Sequence, residues 1–370
     1  MTTIREIPHL GGLRRISSLS VSQADQLSLC ALRLLLASDI GLRQMIPANS
    51  PALLGTAAHN ALAGMARATR RDRMSRTDST RLIAQSMFDE ALAALCGQRD
   101  AEIQRRGPLP GESTEAPSRL PFYGLARARF TRFARARFGE VWAWPEPELP
   151  RREAERSNVT ELRSGRNSEV SLSDTDPLFR GIADVIDVGS VSAIEEFKTG
   201  ELDAERLPGW TLQLLLYGYL CERKFGVRPS TLRVISLHGA EHEFGYQPEL
   251  AEAEAQRIRD GVAAINDRVL AGAGHVELAQ PSAEACAHCA HRPWCDAFWL
   301  SKREPGTTDG VVTKLDGWKV TLESNGLSTV IDFKWHGSLP AAGQRLRILG
   351  VRTQADANSV DRTSAVWSVP

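Results

Sequence analysis

Between about Val170 and Phe197 the sequence gives up helical spacing for alternation. EVSLS, FRGIADVIDVG and VSAIEEF are rich in β-branched residues and separated by turn-like breaks, the rhythm of short strands. Helical patterns bracket them. Upstream, Ser22 to about Leu36 carries a stripe of Leu27, Leu29, Leu32 and Leu35, with Ser22 and Asp25 spaced as a capping box. Pro51 to Arg70 places Leu54, Ala58, Leu62 and Met65 at helical spacing, and a third helix is predicted over Asp78 to Cys96. Gly97 to Ser118, rich in Gly, Pro and charge, reads as a loop. Downstream come a helix from Pro208 to about Phe225, a strand at Leu232–Leu237 and a charged helix from Pro248 to Ala271. This order predicts an α/β fold, a mixed sheet flanked by helices.

After Lys302 the alternation returns in VVTKL, WKVTLES, STVIDFKW, QRLRILGV and SAVWSV, punctuated by Gly, Asn-Gly and Pro. We expect a small OB-like β-barrel of about five strands, and hence two domains, 1–302 and 303–370. Trp318, Trp335 and Trp367 could stack on bases, but filling a small barrel's core is the favoured reading. The chain has 370 residues, 42% of them apolar, and a formal net charge of zero. A nucleic-acid contact would therefore need a local basic surface. The stretch FYGLARARFTRFARARF offers one. Its Phe and Leu positions alternate with Arg127, Arg129, Arg132, Arg135 and Arg137, either a solvated face or a helix following a phosphate backbone through residues such as Arg127, Arg132 and Arg135. No apolar run approaches a membrane span, MTTIREIPHLGGLRR does not read as a signal peptide, and a soluble cytoplasmic protein is expected. No GxxxxGK[ST] loop occurs, so no ATP motor is expected.

Within Gly181–Gly200, Asp184 lies on one predicted strand and Glu196 and Lys198 on the next. Residues two apart on a strand share a face, and a hairpin would bring Asp184 beside them. Two converging carboxylates repel unless a cation neutralises them, and hard oxygen ligands with room for water suit Mg²⁺ or Mn²⁺. Such a centre suits phosphodiester hydrolysis, with Lys198 orienting the nucleophile or stabilising negative charge. The alternative is a surface hairpin with an ordinary Glu–Lys pair. Glu195 should face the other way, and Asp187 reads as supportive.

These residues resemble the RecB-like branch of the PD-(D/E)XK nucleases. Gly181-Ile182-Ala183-Asp184 is similar to that family's G-x-x-D, and Glu196-Phe197-Lys198-Thr199-Gly200 to its (D/E)-x-K-T-G. Gln213 and Tyr217 match its Q-x-x-x-Y helix, and Gly55 to His59 its upstream G-x-x-x-H, in the family order. The resemblance spans about Ser18 to Ala297. It implies a restriction-endonuclease-like sheet, with His59, Asp184 and Glu196 as metal ligands and catalytic residues, Lys198 assisting, and Gln213 and Tyr217 contacting the metal-site backbone or DNA.

Of six cysteines, Cys286, Cys289 and Cys295 crowd into ten residues, a sign of metal binding rather than a disulfide scaffold in a reducing compartment. The same resemblance, to nucleases of the AddB type and CRISPR-associated relatives, pairs C-x2-C-x5-C with an upstream cysteine and so implies a 4Fe–4S cluster with Cys30. Ala31 replaces the usual following proline. Clipping the two ends of the domain could stabilise by on the order of 5 kcal/mol in the chain-entropy model. Zinc is the competing occupant, given His288 and His291 nearby; Cys96 and Cys221 read as buried helix residues. The resemblance implies a Mg²⁺- or Mn²⁺-dependent deoxyribonuclease acting on single strands or DNA ends, exonuclease in preference to endonuclease, in repair, recombination or defence. A separate helicase is a conceivable partner. The alternative is a non-catalytic nucleic-acid-binding module or a subunit of a helicase–nuclease complex.

Overall fold

The computed structural model describes the chain except residues 1–3, 8–9, 68–78, 113, 140–161, 163, 174–175, 190, 288, 302–303, 334–337, 355–356 and 361–363. Its central sheet has five strands: β1 (Gly165–Ser171), β2 (Ile182–Val188), β3 (Ala193–Lys198), β4 (Thr231–Ser236) and β5 (Glu241–Gly245), side by side in that order. All neighbours are antiparallel except β3 and β4. A parallel pair needs a crossover, and the helix Leu207–Phe225 lies between the two strands in sequence. The mixed sheet flanked by helices is as expected.

We label the helices α1 (Ala31–Ser38), α2 (Ser50–Arg67), α3 (Thr80–Arg106), α4 (Tyr123–Phe138), α5 (Leu207–Phe225) and α6 (Pro248–Leu270). One apolar core joins Ile186, Ile194, Leu232 and Val234 of the sheet to α1, α5 and α6. A second joins Val185, Phe197 and Ile235 to α2, α3 and α4. Strand β3 is consequently buried from Ala193 to Phe197, as a strand covered on both faces must be. β5 escaped the sequence reading because EHEFG is a mostly polar edge strand.

Two local expectations fail. Gly97 to Arg106 is helix rather than loop, for α3 continues to Arg106 and stops at Gly107 with φ 75°. Its charged residues are used in packing: Arg99 is buried and donates to Asp100 and the Glu115 carbonyl, and Arg106 pairs with the buried Glu112. The helix over Ser22–Leu36 is instead broken. Ser22 makes no cap but bonds the Ser20 hydroxyl, and Cys30 is extended (φ −166°) between Gln26–Leu29 and α1. That kink turns the Cys30 sulfur toward the amide of Gln280, 3.4 Å away. Arg70 and Asp78, expected helix ends, lie outside the described residues.

The C-terminal strands do not form the expected closed five-stranded barrel. β6 (Thr307–Asp316), β7 (Lys319–Ser324), β8 (Leu327–Asp332), β9 (Arg345–Leu349), β10 (Arg352–Gln354), β11 (Ala357–Ser359) and β12 (Ala365–Val369) join the N-terminal Arg5–Glu6 in one eight-stranded sheet. Among the described residues its order is open, running from Arg5–Glu6 through β12, β9, β6, β7, β8 and β11 to β10. Two- and three-residue strands carry no readable alternation, and the parallel pairing of Arg5–Glu6 with β12 is wholly long-range. The sheet has its own core around Val320, Leu322, Ile331 and Leu346. Trp367, fully buried, leaves it to pack edge-on against Trp294 at 5.5 Å. Trp318 is exposed at a turn, and Trp335 lies outside the described residues. No helix among the described residues is long and apolar enough to cross a membrane.

Trp367→Ala is expected to cost about 3–5 kcal/mol in urea unfolding, the usual loss for a large buried aromatic. A change within experimental error would show that this contact does not hold the sheet to the rest of the chain.

Candidate active site

Hairpin register sets the site. β2 and β3 pair Asp187 with Ala193, Ile186 with Ile194 and Val185 with Glu195, where the ladder ends. The next amide, of Phe197, donates to Asp184 Oδ2 at 2.7 Å instead of to a backbone carbonyl. On the other flank β1 pairs Ser168 with Val185 and Val170 with Ala183, passing over Asp184. Glu169, between those two residues, has φ 53°, a left-handed conformation that non-glycine residues adopt only under constraint. Asp184 thus stands where the sheet is interrupted on both sides, and its carboxylate fills the gap toward β3.

Glu196 and Lys198 project together, as period-two spacing requires. Glu196 is 6% exposed, and its Oε1 accepts from Lys198 Nζ (2.8 Å) and Gln213 Nε2 (2.9 Å). Lys198 Nζ also donates to Gln213 Oε1 at 2.9 Å, and Gln213 Nε2 meets the Tyr217 hydroxyl at 3.1 Å. Gln213 and Tyr217, one turn apart on α5, therefore hold the carboxylate–lysine pair in place. His59 reaches in from α2, its Nδ1 3.4 Å from Asp184 Oδ1.

The electrostatics are those of a place short of positive charge. Burial, and then the charge of Asp184, push the Glu196 carboxyl up to about 7 despite Lys198. Burial opposes a charged His59, but hydrogen bonding to Asp184 prevails and raises its pKa. Burial and the nearby Glu196 push up the Tyr217 phenol. Glu196 Oε2 is buried with no hydrogen-bond partner among the described residues. An orphaned anionic oxygen beside a second carboxylate fits a divalent cation. No three His, Cys, Asp or Glu side chains among the described residues close a complete cage there. Mg²⁺ commonly uses one or two carboxylates, completing its shell with water and phosphate.

Residues 18–296 match the PD-(D/E)XK nuclease superfamily. The chain belongs to that superfamily. A comparison with curated proteins gives no match. Membership implies nuclease activity on a nucleic-acid substrate, and PD-(D/E)XK nucleases typically use a divalent metal.

The fold also explains the glycines of this nuclease's motifs. A Cβ on Gly181 would stand 2.6 Å from the Tyr217 ring, and one on Gly55 would stand 3.3 Å from Thr199 Oγ1. Each glycine lets one motif touch another. Of the arginines on α4, Arg127 is bound through two nitrogens to Asp89, which also accepts from Tyr123, while Arg132 and Arg135 are exposed. Sequence reasoning missed two residues lining the cavity with His59 and Asp184: Glu169 and Arg137. Glu169 carries no periodic signal; Arg137 was one arginine among many. Asp187 pairs with Ala193 in the ladder, and Glu195 faces away from Glu196 as expected.

Cys30, Cys286, Cys289 and Cys295 line one cavity with Arg33, His291 and Arg292, though more than 250 residues separate the first from the rest. Burial pushes up the thiols of Cys286 and Cys289, and that of Cys295 to about 11. The four thiols share this cavity, but among the described residues no three His, Cys, Asp or Glu side chains are grouped closely enough to hold a metal ion, and burial favours the protonated thiol. His291 is buried and its Nδ1 has no partner among the described residues; burial lowers its pKa to about 4. His288 lies outside the described residues, and Cys96 and Cys221 are buried in α3 and α5.

Gly181→Ala is expected to destabilise by about 1–3 kcal/mol, the range for overpacking. Combined with Tyr217→Ala the penalty should be less than the sum, because the clash is with that ring. Strict additivity in urea unfolding would refute the contact.

Proposed function

We propose that this PD-(D/E)XK nuclease is a RecB-like, Mg²⁺- or Mn²⁺-dependent deoxyribonuclease acting on single-stranded DNA or DNA ends. The reading rests on one observation: His59 reaches Asp184, Lys198 holds one oxygen of Glu196, and the other oxygen of that buried carboxylate is left without a hydrogen-bond partner among the described residues. His59, Asp184 and Glu196 would hold the metal, which when bound supplies Lewis-acid polarisation of the phosphate and a more acidic water. Lys198 stabilises the negative charge that builds on the phosphate oxygens, and Gln213 keeps its ammonium beside Glu196. Tyr217 fixes Gln213 in turn. Arg132 and Arg135, exposed on α4, would contact the strand's backbone, and Arg127 would do so on leaving Asp89. Exonuclease action is favoured over endonuclease action. Repair, recombination and defence all use such an enzyme, alone or beside a separate helicase. A non-catalytic grip on nucleic acid is the second reading, disfavoured by a complete set of metal-site residue types.

The four cysteines are read as ligands of a 4Fe–4S cluster closing residues 1–302, with 303–370 as an appended domain into which Arg5–Glu6 inserts a strand. Zinc is the second occupant, favoured by His291 on the same cavity.

Anaerobically purified protein should cleave end-labelled DNA only with Mg²⁺ or Mn²⁺, and folded Lys198→Ala should lose about 10²- to 10⁴-fold in rate, the usual weight of a positioned catalytic group. Metal-independent cleavage, or full activity in that variant, would be incompatible with this site. Elemental analysis should find iron and acid-labile sulfide in equal amounts, lost in Cys286→Ser. Zinc without sulfide would replace the cluster assignment.

A further inference from the structure

Arg137 and Glu195 remain outside the network described above, and they meet. Arg137 lies in the last turn of α4, on the opposite side of the sheet from Gln213 and Tyr217. Its guanidinium donates to Glu195, which is 2% exposed, and sits 5.4 Å over the Phe197 ring. Glu195 and Phe197 flank Glu196 in sequence, so one strand supplies a metal-site carboxylate on one face and the seat of Arg137 on the other. Arg233 of β4 approaches Glu195 from its other side at 3.5 Å and is itself bound by Glu243 at 2.6 Å and Glu241 at 3.5 Å. The arginine so held lines the cavity that His59, Asp184 and Glu169 share.

An arginine that only packs a helix needs no buried carboxylate behind it, since desolvating both ions costs more than an apolar pair of similar volume. A carboxylate at one edge and a ring beneath fix the plane of the guanidinium. A planar fork fixed in advance clamps a phosphate with little loss of freedom on binding. Arg127 is committed to Asp89, and Arg132 and Arg135 do not line the cavity. We propose that Arg137 binds a backbone phosphate of the nucleic-acid strand beside the metal site, with Glu195 as its positioning residue. This rests on the nuclease reading given above.

The test uses the full chain and a fluorescein-labelled single-stranded oligonucleotide. In the Lys198→Ala background, adding Arg137→Ala should weaken binding about tenfold and reduce the slope of log K against log salt by about one, the mark of one lost phosphate contact. In otherwise wild-type protein Arg137→Ala should lower kcat/KM about 10- to 100-fold, the range for a hydrogen bond to a charged group. Arg137→Lys should restore the salt slope but only part of kcat/KM, because the charge returns without the fork. Glu195→Gln should lower kcat/KM while leaving the salt slope unchanged. If folded Arg137→Ala shows only a lower unfolding midpoint, with salt slope and kcat/KM intact, the arginine merely pins α4 and the proposal is wrong. If the wild-type chain neither binds nor cuts DNA, the nuclease reading itself fails and takes this inference with it.

Discussion

Two carboxylates held close together repel, and burying one of them sharpens the repulsion by keeping water from it. Asp184 and Glu196 are in that position because each lies one residue beyond the last pair of the β2–β3 ladder, Val185 with Glu195. Much of the surrounding structure answers that repulsion. Lys198 and Gln213 take one oxygen of Glu196, the Phe197 amide takes one of Asp184, and His59 leans on the other. What is left unanswered, Glu196 Oε2, is an acceptor that a cation, a proton or a donor such as water would satisfy. The strain at Glu169 and the broken ladder beside Asp184 belong to the same compromise, since a regular sheet would keep that carboxylate in register with its neighbours.

The cysteine cavity works at another scale. It joins Cys30, in the kink before α1, to a motif that follows α6, so the first and last parts of the α/β core meet there. The same motif carries the C-terminal sheet. Trp294 packs on Trp367, and the buried Arg347 donates to the Pro293 carbonyl and pairs with Asp296, next to Cys295. Whatever fixes the cysteine motif therefore also fixes the seat of the appended sheet.

The arginine-rich helix shows how little composition says about role. Its arginines are interspersed with apolar residues all along its length, yet they meet different fates. Arg127 is tied to Asp89, Arg132 and Arg135 are exposed, and Arg137 is set between Glu195 and the Phe197 ring at the site. The choice among them depends on which turn of α4 crosses the sheet near β3.

The sequence by itself determined the parts whose physics is local. Period-two spacing put Glu196 and Lys198 on one face, a one-turn step aligned Gln213 with Tyr217, and the strand–helix–strand order required a mixed sheet. It also marked Gly55 and Gly181 as motif positions without saying why, because what each makes room for, Thr199 or Tyr217, arrives from elsewhere in the chain. Only the tertiary structure decided that Gly97–Arg106 is helix, because buried partners for Arg99 and Arg106 outweigh the loop-like composition. It alone enlisted Arg5–Glu6 in the C-terminal sheet and left that sheet open, since strands of two or three residues have no period to read. It alone gave Glu195 and Glu169 their places, for a carboxylate's role depends on which cation the fold brings to it, and that cation is distant in sequence.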